Sequence, residues 1–381
     1  MNALVLEDVG RFQVREIPTP VPKPNEVLVQ VGTVGICGTD LHIFHGLANY
    51  ARDAKGQPVP LTVRPQILGH EFCGRVNAVG SEVTRCRPGQ FVIVDQVLNC
   101  ISQGRSPICE YCETGDSHQC EFGQELGITG LPGAFADYIA VPEANVIVLP
   151  PAMSPVTAAV IEPLGCVLHA SRRMESARNR YEFEGSRRIR NILILGAGPS
   201  GLLFLQYLRN VKKFDGEIWV ADMQERKLAL SKELGATPLD VRKIDPVAEI
   251  AKRTRGERIH YLIEATGSGS VFDWIPSLIR RQGTVLLYGA GHSNRDISCL
   301  TPFQVFEVNI VTSAGASGGF DKNKGPEIYE LAMKYIQGGE IDAESLLSHR
   351  YTDLEQLQRA FSEDFRRDDF IKGILTRRDV F

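Results

Sequence analysis

The chain has 381 residues and a mass of 42.1 kDa, which is more than one hydrophobic core usually serves and fits two domains. Its composition, with 43% hydrophobic and 23% charged residues and a net charge of −4, excludes a strongly basic nucleic-acid-binding protein. No signal-peptide pattern is evident, and no apolar run approaches the roughly 18 residues of a membrane-spanning helix. We therefore expect a soluble, cytoplasmic protein whose partners are small molecules, with neither nucleic acid nor membrane among them.

The first part of the chain, up to about residue 150, contains short apolar segments broken by Pro and Gly. This pattern predicts strands at Glu26 to Val34, Phe72 to Val79, Phe91 to Val97 and around Phe135 to Val141. The sequence therefore predicts an irregular, all-β domain.

Residue types that bind metals follow or begin these strands. Cys37 lies in the run Gly35 to His42, and His70-Glu71 begins a later strand. A metal held by Cys, His and carboxylate with one open position polarises an alcohol or carbonyl oxygen. Successive strand side chains diverge, so both His70 and Glu71 need not bind one metal. Spacing alone leaves open whether Cys37 is a ligand or a small core residue.

Two further segments complete this candidate catalytic set. Thr39 and His42, three residues apart, could pass a substrate hydroxyl proton to solvent. Glu162 precedes Pro163, which favours an extended conformation for Glu162 at the foot of a helix-like segment. Cys166, four residues after Glu162, could compete as a ligand, although a packed thiol on a helix is the simpler interpretation.

The nine cysteines indicate a second metal site rather than disulfides, because a reducing cytosol keeps thiols free. Gaps of eight, two and seven residues separate Cys100, Cys109, Cys112 and Cys120. Four thiolates on one short lobe predict a closed, tetrahedral structural zinc site. We assign no role to Cys73, Cys86 and Cys299.

From Ile192 onwards, strand-like and helix-like segments alternate. The predicted elements are strand Ile192 to Leu195, helix Gly201 to Val211, strand Glu217 to Ala221, helix Gln224 to Leu234, strand Tyr261 to Ala265, helix Val271 to Arg281 and strand Thr284 to Tyr288. Such alternation predicts βαβ units and a parallel sheet. Helices around Pro326 to Gln337 and Leu354 to Phe361, with strands around Ser348 to Tyr351 and Ile371 to Leu375, complete the chain.

The first of these strands leads into a glycine fingerprint that begins a helix. The dinucleotide-binding motif is Gly196, Ala197, Gly198, Pro199, Ser200 and Gly201. Its three glycines make the tight turn, admit the pyrophosphate and let helix and strand pack closely. Asp222 ends the next strand, where an acid binds the ribose hydroxyls and disfavours a 2′-phosphate, so we expect NAD. Arg226 and Lys227 nearby could still tolerate NADP.

One basic segment lies between the two parts of the chain. Ser171 to Arg190 carries seven arginines and three glutamates. A solvated stretch of mixed charge is the simpler interpretation of this segment, and a local anion site or subunit contact is the alternative.

As a set, these motifs resemble the zinc-containing medium-chain alcohol dehydrogenases, particularly the polyol (sorbitol) and threonine dehydrogenase branch. The resemblance implies an α/β protein with a GroES-like catalytic domain from residues 1–168 and 316–381, a Rossmann NAD-binding domain from residues 169–315, and an active site in the cleft. It places Cys37, His70 and Glu162 around the catalytic zinc, with Glu71 a ligand or an exchanging one. Thr39 and His42 would form the proton relay.

The sequence departs from the family pattern in three places. Ser106 occupies the usual position of the first structural cysteine, so we expect Cys100 to loop back and complete that site; the alternative is a metal-free lobe. The interval from His45 to Pro65 and the arginine-rich segment look extended. Because loops determine specificity, these departures weaken any inference about the substrate.

We therefore expect an oxidoreductase that transfers hydride between NAD and a secondary alcohol or ketone of a polyol, sugar, cyclitol or aminocyclitol. Alternatives are L-threonine 3-dehydrogenase-like oxidation, a redox-neutral isomerase or dismutase that retains NAD, and a binding protein without turnover. The family habit predicts a homodimer or homotetramer through the sheet edge near Val285 to Ala290 and Phe303 to Val311.

Overall fold

The computed structural model describes residues 1–292, 300–316, 320–321 and 325–381, so Cys299 lies outside the described residues. The strands are β1 (Asn2–Asp8), β2 (Arg11–Glu16), β3 (Glu26–Gly35), β4 (Gln66–Ile67), β5 (Glu71–Val79), β6 (Phe91–Val94), β7 (Val97–Leu98), β8 (Gln124–Glu125), β9 (Tyr138–Pro142), β10 (Val146–Val148), β11 (Asn191–Leu195), β12 (Glu217–Asp222), β13 (Thr237–Asp240), β14 (Ile259–Glu264), β15 (Ile279–Leu287), β16 (Asn309–Thr312), β17 (Phe320–Asp321), β18 (Gly325–Pro326), β19 (Leu347–Tyr351) and β20 (Lys372–Thr376).

The α-helices are α1 (Gly38–Phe44), α2 (Glu110–Glu113), α3 (Pro155–Ala158), α4 (Ile161–Ser176), α5 (Pro199–Gln206), α6 (Glu225–Glu233), α7 (Pro246–Arg253), α8 (Ile275–Leu278), α9 (Thr301–Phe306), α10 (Glu327–Gln337) and α11 (Leu354–Ser362). Short 3₁₀ turns lie at Ser117–Gln119, Glu143–Asn145, Gly269–Asp273, Glu344–Leu346, Asp364–Arg366 and Arg378–Val380, and a π-helical turn extends α5 over Tyr207–Val211. Among the described helices, none has the length and apolar character needed to cross a bilayer.

The chain folds into two compact units. The first contains Met1–Gly165, Ala316–Gln337 and Ala343–Phe381, and the second contains Cys166–Gly315 and Gly338–Asp342. The first unit therefore takes both ends of the chain. The assignment of residues 1–168 and 316–381 to catalysis, and of residues 169–315 to the cofactor, stays a prediction.

The first unit is built mainly from two β-sheets, with two further two-stranded pairs, β7-β8 and β17-β18. A seven-stranded sheet has the order β10-β6-β5-β3-β20-β19, with β9 also on β3, and a three-stranded sheet has the order β2-β1-β4. Buried aliphatic and aromatic side chains, including Val29, Phe72 and Phe361, form its core. Because β20 pairs antiparallel with β3, the C-terminal strand returns next to the segment that leads to Cys37.

The second unit contains a parallel six-stranded sheet of order β13-β12-β11-β14-β15-β16. In sequence order within this sheet, that is 3-2-1-4-5-6, the order of doubly wound dinucleotide-binding domains. β11 is buried at all five residues, as expected for a parallel strand covered on both faces. The predicted parallel sheet is confirmed.

Some local predictions were wrong. The segment predicted as a helix from Val271 to Arg281 has a 3₁₀ turn and the four-residue helix α8, and then enters β15 at Ile279. An apolar run of this length is compatible with a helix or a strand. Its C-terminal part forms a strand because β15 pairs with β14 and β16. The hairpin of β1 and β2 at the start of the chain was not predicted.

Candidate active site and metal centres

Cys37 lies where β3 ends and α1 begins. It has an extended backbone conformation and precedes the first helical residue. Its N–H donates to the Asp40 carboxylate at 2.9 Å, and Asp40 is fully buried. An acid three residues after the residue that precedes the helix satisfies a backbone donor that the helix leaves free. This local motif fixes the backbone at Cys37.

Asp40 also fixes the second candidate ligand. Its carboxylate accepts from the Gly69 N–H at 3.2 Å and lies 3.3 Å from Nδ1 of His70. Burial lowers the pKa of His70, but the negative charges of Asp40 and Cys37 raise it, and the net pKa lies well above the usual value. A carboxylate beside one ring nitrogen of a histidine is a common support for a metal ligand at the other.

The thiol, imidazole and carboxylate of Cys37, His70 and Glu71 converge, with ligand atoms that all lie within 4.8 Å of one another. The expectation that His70 and Glu71 side chains diverge was therefore wrong. Gly69 has φ of +91°, which only glycine adopts readily, and β5 begins at Glu71, so His70 lies outside the regular strand alternation. Within the described residues, Glu162 is not part of this convergent group.

Lys372 on β20 forms a buried ion pair with Glu71, and the two side chains are each 1% exposed. Its Nζ also donates to the Ile36 carbonyl at 3.3 Å. Burial lowers the pKa of Lys372, but Glu71 and Cys37 more than offset this effect, so the net pKa is raised. Gly35 leaves the space for this pair, because a Cβ there would lie 2.1 Å from a Glu71 oxygen.

Glu162 belongs to the first turn of α4, so the extended conformation predicted from Pro163 was wrong. A proline near the start of a helix is tolerated, since the N–H it lacks would have no partner in the helix. The Glu162 carboxylate accepts from Gln96 Nε2 at 2.9 Å, and Tyr329 donates to Gln96 Oε1 at 3.1 Å. The negative charge of Glu162 also raises the pKa of Lys372.

The proposed relay residues lie on α1. Thr39 and His42 are both half-buried, and burial lowers the pKa of His42. Tyr50 and Glu125 interact electrostatically with residues of this region. Burial raises the pKa of Tyr50, and the charges of Glu125 and Cys37 raise it further. Burial also raises the pKa of Glu125, whereas His70 lowers it.

A second convergent group lies in the cysteine lobe. Cys100, Cys109, Cys112 and Cys120 bring their sulfurs within 4.8 Å of one another, and Cys100 loops back to join the other three. The Sγ–Sγ distances from Cys120 are 3.6 Å to Cys100 and 3.8 Å to Cys109. Four thiolates about 2.3 Å from one zinc at tetrahedral angles would lie roughly 3.8 Å apart, so these distances fit zinc and far exceed a disulfide bond.

The glycine fingerprint forms the turn between β11 and α5. Gly196 has φ of +98°, and a Cβ on Gly201 would lie 1.9 Å from the Gly196 carbonyl oxygen. Pro199 and Ser200 are the first residues of α5, after Gly198. The Asp222 carboxylate accepts from the Ala197 N–H at 2.7 Å, and Arg226 is exposed on α6. The turn presents a helix N-terminus that can receive a pyrophosphate.

Sequence reasoning missed four residues of the catalytic region: Asp40, Gln96, Tyr329 and Lys372. Asp40 carried a signal, since it stands three residues after a residue that ends a strand. Lys372 carried a weaker one, as a charge between buried Ile371 and Ile374 on a strand. Gln96 and Tyr329 come from distant segments and had no local signal.

The two parts of the chain match two sequence families. Residues 23–151 match the alcohol dehydrogenase GroES-like domain, and residues 199–334 match the zinc-binding dehydrogenase family. The chain is 30% identical to the sorbitol dehydrogenase of Bacillus subtilis (strain 168), over 94% of this chain and 92% of that protein. The chain belongs to the zinc-containing medium-chain alcohol dehydrogenase family.

Other relatives cover the same range. The L-threonine 3-dehydrogenase of Bacillus velezensis is 31% identical, over 95% of this chain and 94% of that protein. The L-galactonate-5-dehydrogenase of Escherichia coli (strain K12) is 29% identical, over 99% of each chain. The dehydrogenases named here all oxidise a CH–OH group, which confirms the predicted enzyme class.

Solved structures of other dehydrogenases have the same fold as this chain. A zinc-binding dehydrogenase of Sinorhizobium meliloti 1021 bound to NADP superposes with a TM-score of 0.78 and 27% identity, over 98% of each chain. An alcohol dehydrogenase of Escherichia coli CFT073 complexed with NADH superposes with a TM-score of 0.77 and 26% identity, over 99% of each chain. This protein is thus a zinc-dependent oxidoreductase acting on CH–OH groups with a nicotinamide dinucleotide.

Proposed function

We propose that the enzyme transfers hydride between NAD and a secondary alcohol or ketone of a polyhydroxylated substrate, such as a polyol, sugar, cyclitol or aminocyclitol. The observation that carries this proposal is the density of carboxylates around Cys37. Glu71 is 1% exposed and Glu162 is 4% exposed, with the half-buried Glu125 nearby. Carboxylates accept hydrogen bonds from hydroxyl groups, so this region suits a substrate with several hydroxyls better than a simple apolar alcohol.

The donor set of the catalytic group suits zinc, which binds thiolate, imidazole and carboxylate. We assign Cys37, His70 and Glu71 to holding it, with Glu162 next to them. A zinc ion here would act as a Lewis acid on the substrate oxygen. Gln96 donates to the Glu162 carboxylate and orients it. Lys372 and Asp40 orient Glu71 and His70.

The remaining roles concern the proton, the structural metal and the cofactor. Thr39 would accept the proton of the substrate hydroxyl and His42 would pass it to solvent; its lowered pKa keeps the imidazole neutral and able to accept a proton. Cys100, Cys109, Cys112 and Cys120 would hold the structural zinc. Asp222 would bind the ribose hydroxyls, which favours NAD over NADP.

The relatives support the substrate class without fixing the substrate. Two relatives are named for L-galactonate and sorbitol, and both of these compounds carry several hydroxyl groups. The 31% identity to an L-threonine 3-dehydrogenase favours one alternative, oxidation of a 2-amino-3-hydroxy acid.

A nicotinamide absorbance screen tests the proposal. The purified protein is assayed with NAD and NADP against polyols, sugars, cyclitols, aminocyclitols, threonine and simple alcohols. We expect turnover with one polyhydroxylated class, its loss in Cys37→Ser, and its retention in Cys73→Ser, a buried thiol outside the convergent group. Turnover with threonine alone or with simple alcohols alone would refute the substrate class. Activity retained in Cys37→Ser would refute the site.

A further inference from the structure

A cavity of about 790 Å³ opens in the second unit, away from the glycine fingerprint. Arg258, which lines the cavity, lies just before β14, and Phe306 lies shortly before β16. Arg281, which also lines it, lies near the start of β15. The fingerprint, by contrast, follows the carboxyl end of β11. Since all these strands are parallel, the cavity lies at the amino edge of the sheet and the fingerprint at the carboxyl edge.

We propose that this cavity binds a small dianionic molecule through its phosphate or carboxylate groups. The lining side chains carry four positive charges, from Arg180, Arg258, Arg280 and Arg281, and two negative charges, from Glu257 and Glu307. The surplus of two positive charges matches a dianion. Arg180 comes from the arginine-rich segment, which the dehydrogenase activity leaves without a role.

The cavity contains guanidinium groups that are not neutralised. Arg280 donates to Glu257 Oε1 and to the Tyr181 hydroxyl, both at 2.7 Å. In the part of the chain that the structure describes, Arg258 and Arg281 form no ion pair with a carboxylate. Both guanidiniums instead stack on the Phe306 ring, at 5.6 Å and 4.5 Å from its centroid.

This stacking suits an oxyanion ligand. An aromatic face stabilises a guanidinium without using its N–H groups, so the planar fork stays available. Two such forks beside one ring can grip a phosphate or carboxylate through paired, charge-assisted hydrogen bonds. Lysines would offer point charges without this geometry.

The lining is also held in place before any ligand binds. Gln282 accepts from Arg180 at 2.9 Å and donates to Glu307 at 2.5 Å. Arg258, Gln282 and Glu307 have φ values of +69°, +54° and +50°, a conformation that is unfavourable for residues with a Cβ. Surrounding contacts must maintain these three conformations, and a rigid lining lowers the entropy lost on binding.

Isothermal titration calorimetry on the full-length, zinc-loaded protein tests the proposal, with saturating NADH to occupy the dinucleotide turn. The probes are inorganic phosphate and succinate at pH 8 in low salt, which separate a phosphate ligand from a dicarboxylate. The variants are Arg258→Gln and Arg281→Gln. Arg255→Gln is the matched control, because Arg255 is exposed, also has a positive φ of +52°, and does not line the cavity.

We expect saturable binding of at least one probe that weakens about tenfold or more in both cavity variants and changes little in Arg255→Gln. Binding should also weaken with added NaCl. Equal affinity in all four proteins, or no saturable binding to the wild type, would overturn the proposal. Sedimentation velocity tests whether a second copy of the chain occupies the cavity instead. If the cavity variants form smaller assemblies and neither probe binds the wild type, the arginines contact a second copy and the proposal is wrong.

Discussion

Replacing Lys372 by methionine should destabilise the catalytic region strongly. Methionine keeps most of the apolar stem of the buried lysine, so the main change is the loss of the charge beside Glu71. Removing one partner of a buried ion pair leaves the other charge uncompensated and costs about 3–5 kcal/mol. The lost hydrogen bond to the Ile36 carbonyl adds about 1 kcal/mol. We therefore expect the free energy of local opening in metal-free protein to fall by about 4–6 kcal/mol.

Hydrogen exchange of the amides that pair β3 with β20 is the appropriate measurement. A two-domain chain need not unfold in one step, so one free energy of unfolding from denaturant would be ill-defined. Amide exchange reports the opening of each region separately. The register pairs Ile374 with Gly35 and Leu375 with Val34, so these amides lie directly beside the ion pair.

Two variants make the result decisive. Lys243→Met removes a lysine that is 63% exposed and pairs with Glu225 and Asp240, and its effect should stay below about 1 kcal/mol. Adding Glu71→Gln to Lys372→Met removes the orphaned charge and should recover about 2 kcal/mol or more. A loss below about 1 kcal/mol in Lys372→Met, or no recovery in the double variant, would refute the view that this pair holds Glu71 in position.

Three further outcomes are expected. Burial, with Arg280 and Arg190, lowers the pKa of His260 to about 4 from 6.5, so the unfolded chain binds more protons between these pH values. The neutral His260 side chain therefore contributes its full stability above pH 6.5, and this contribution is lost as the pH falls toward 4, by at most about 3 kcal/mol. His260→Gln should remove this part of the pH dependence, measured by thermal melts at pH 5 and 7.5. Cys120→Ser should lower the zinc content, measured by mass spectrometry of the metal, by about one ion per chain, and unchanged content would contradict the four-cysteine site. Gly201→Ala should lower the melting temperature, whereas Gly198→Ala, whose Cβ would meet no atom within 4 Å, should weaken NADH binding in fluorescence titrations without that loss.

The sequence was sufficient where the determinants are local. The glycine turn with its flanking strand and helix could be predicted because Gly196 and Gly201 act on residues within the same turn. Parallel pairing followed from alternating elements. The four-cysteine group was also predictable, since its members lie within 21 residues of sequence, from Cys100 to Cys120.

It was insufficient where a side chain's direction depends on a special backbone conformation or a distant segment. The alternation rule for His70 and Glu71 failed because Gly69 turns the chain before β5 begins. Lys372 stands 301 residues after Glu71, and only the antiparallel pairing of β20 with β3 brings them together. Arg281 was assigned to a helix because its own neighbours are compatible with one, whereas pairing across the sheet placed it in a strand.

The charges around Cys37 connect the metal with the substrate class. Asp40, Glu71, Asp95 and Glu162 are all buried, and the buried bases near them are His70 and Lys372. Burial, together with the negative charges of Glu162 and Glu125, raises the pKa of Asp95 to about 8, so the carboxylates repel one another. A folded protein retains such a surplus of buried acids only if something compensates it. A divalent cation would compensate the acids nearest Cys37, and hydroxyl groups of the proposed substrate would donate hydrogen bonds to those that remain, which is why we propose both a zinc site and a polyhydroxylated substrate from one set of residues.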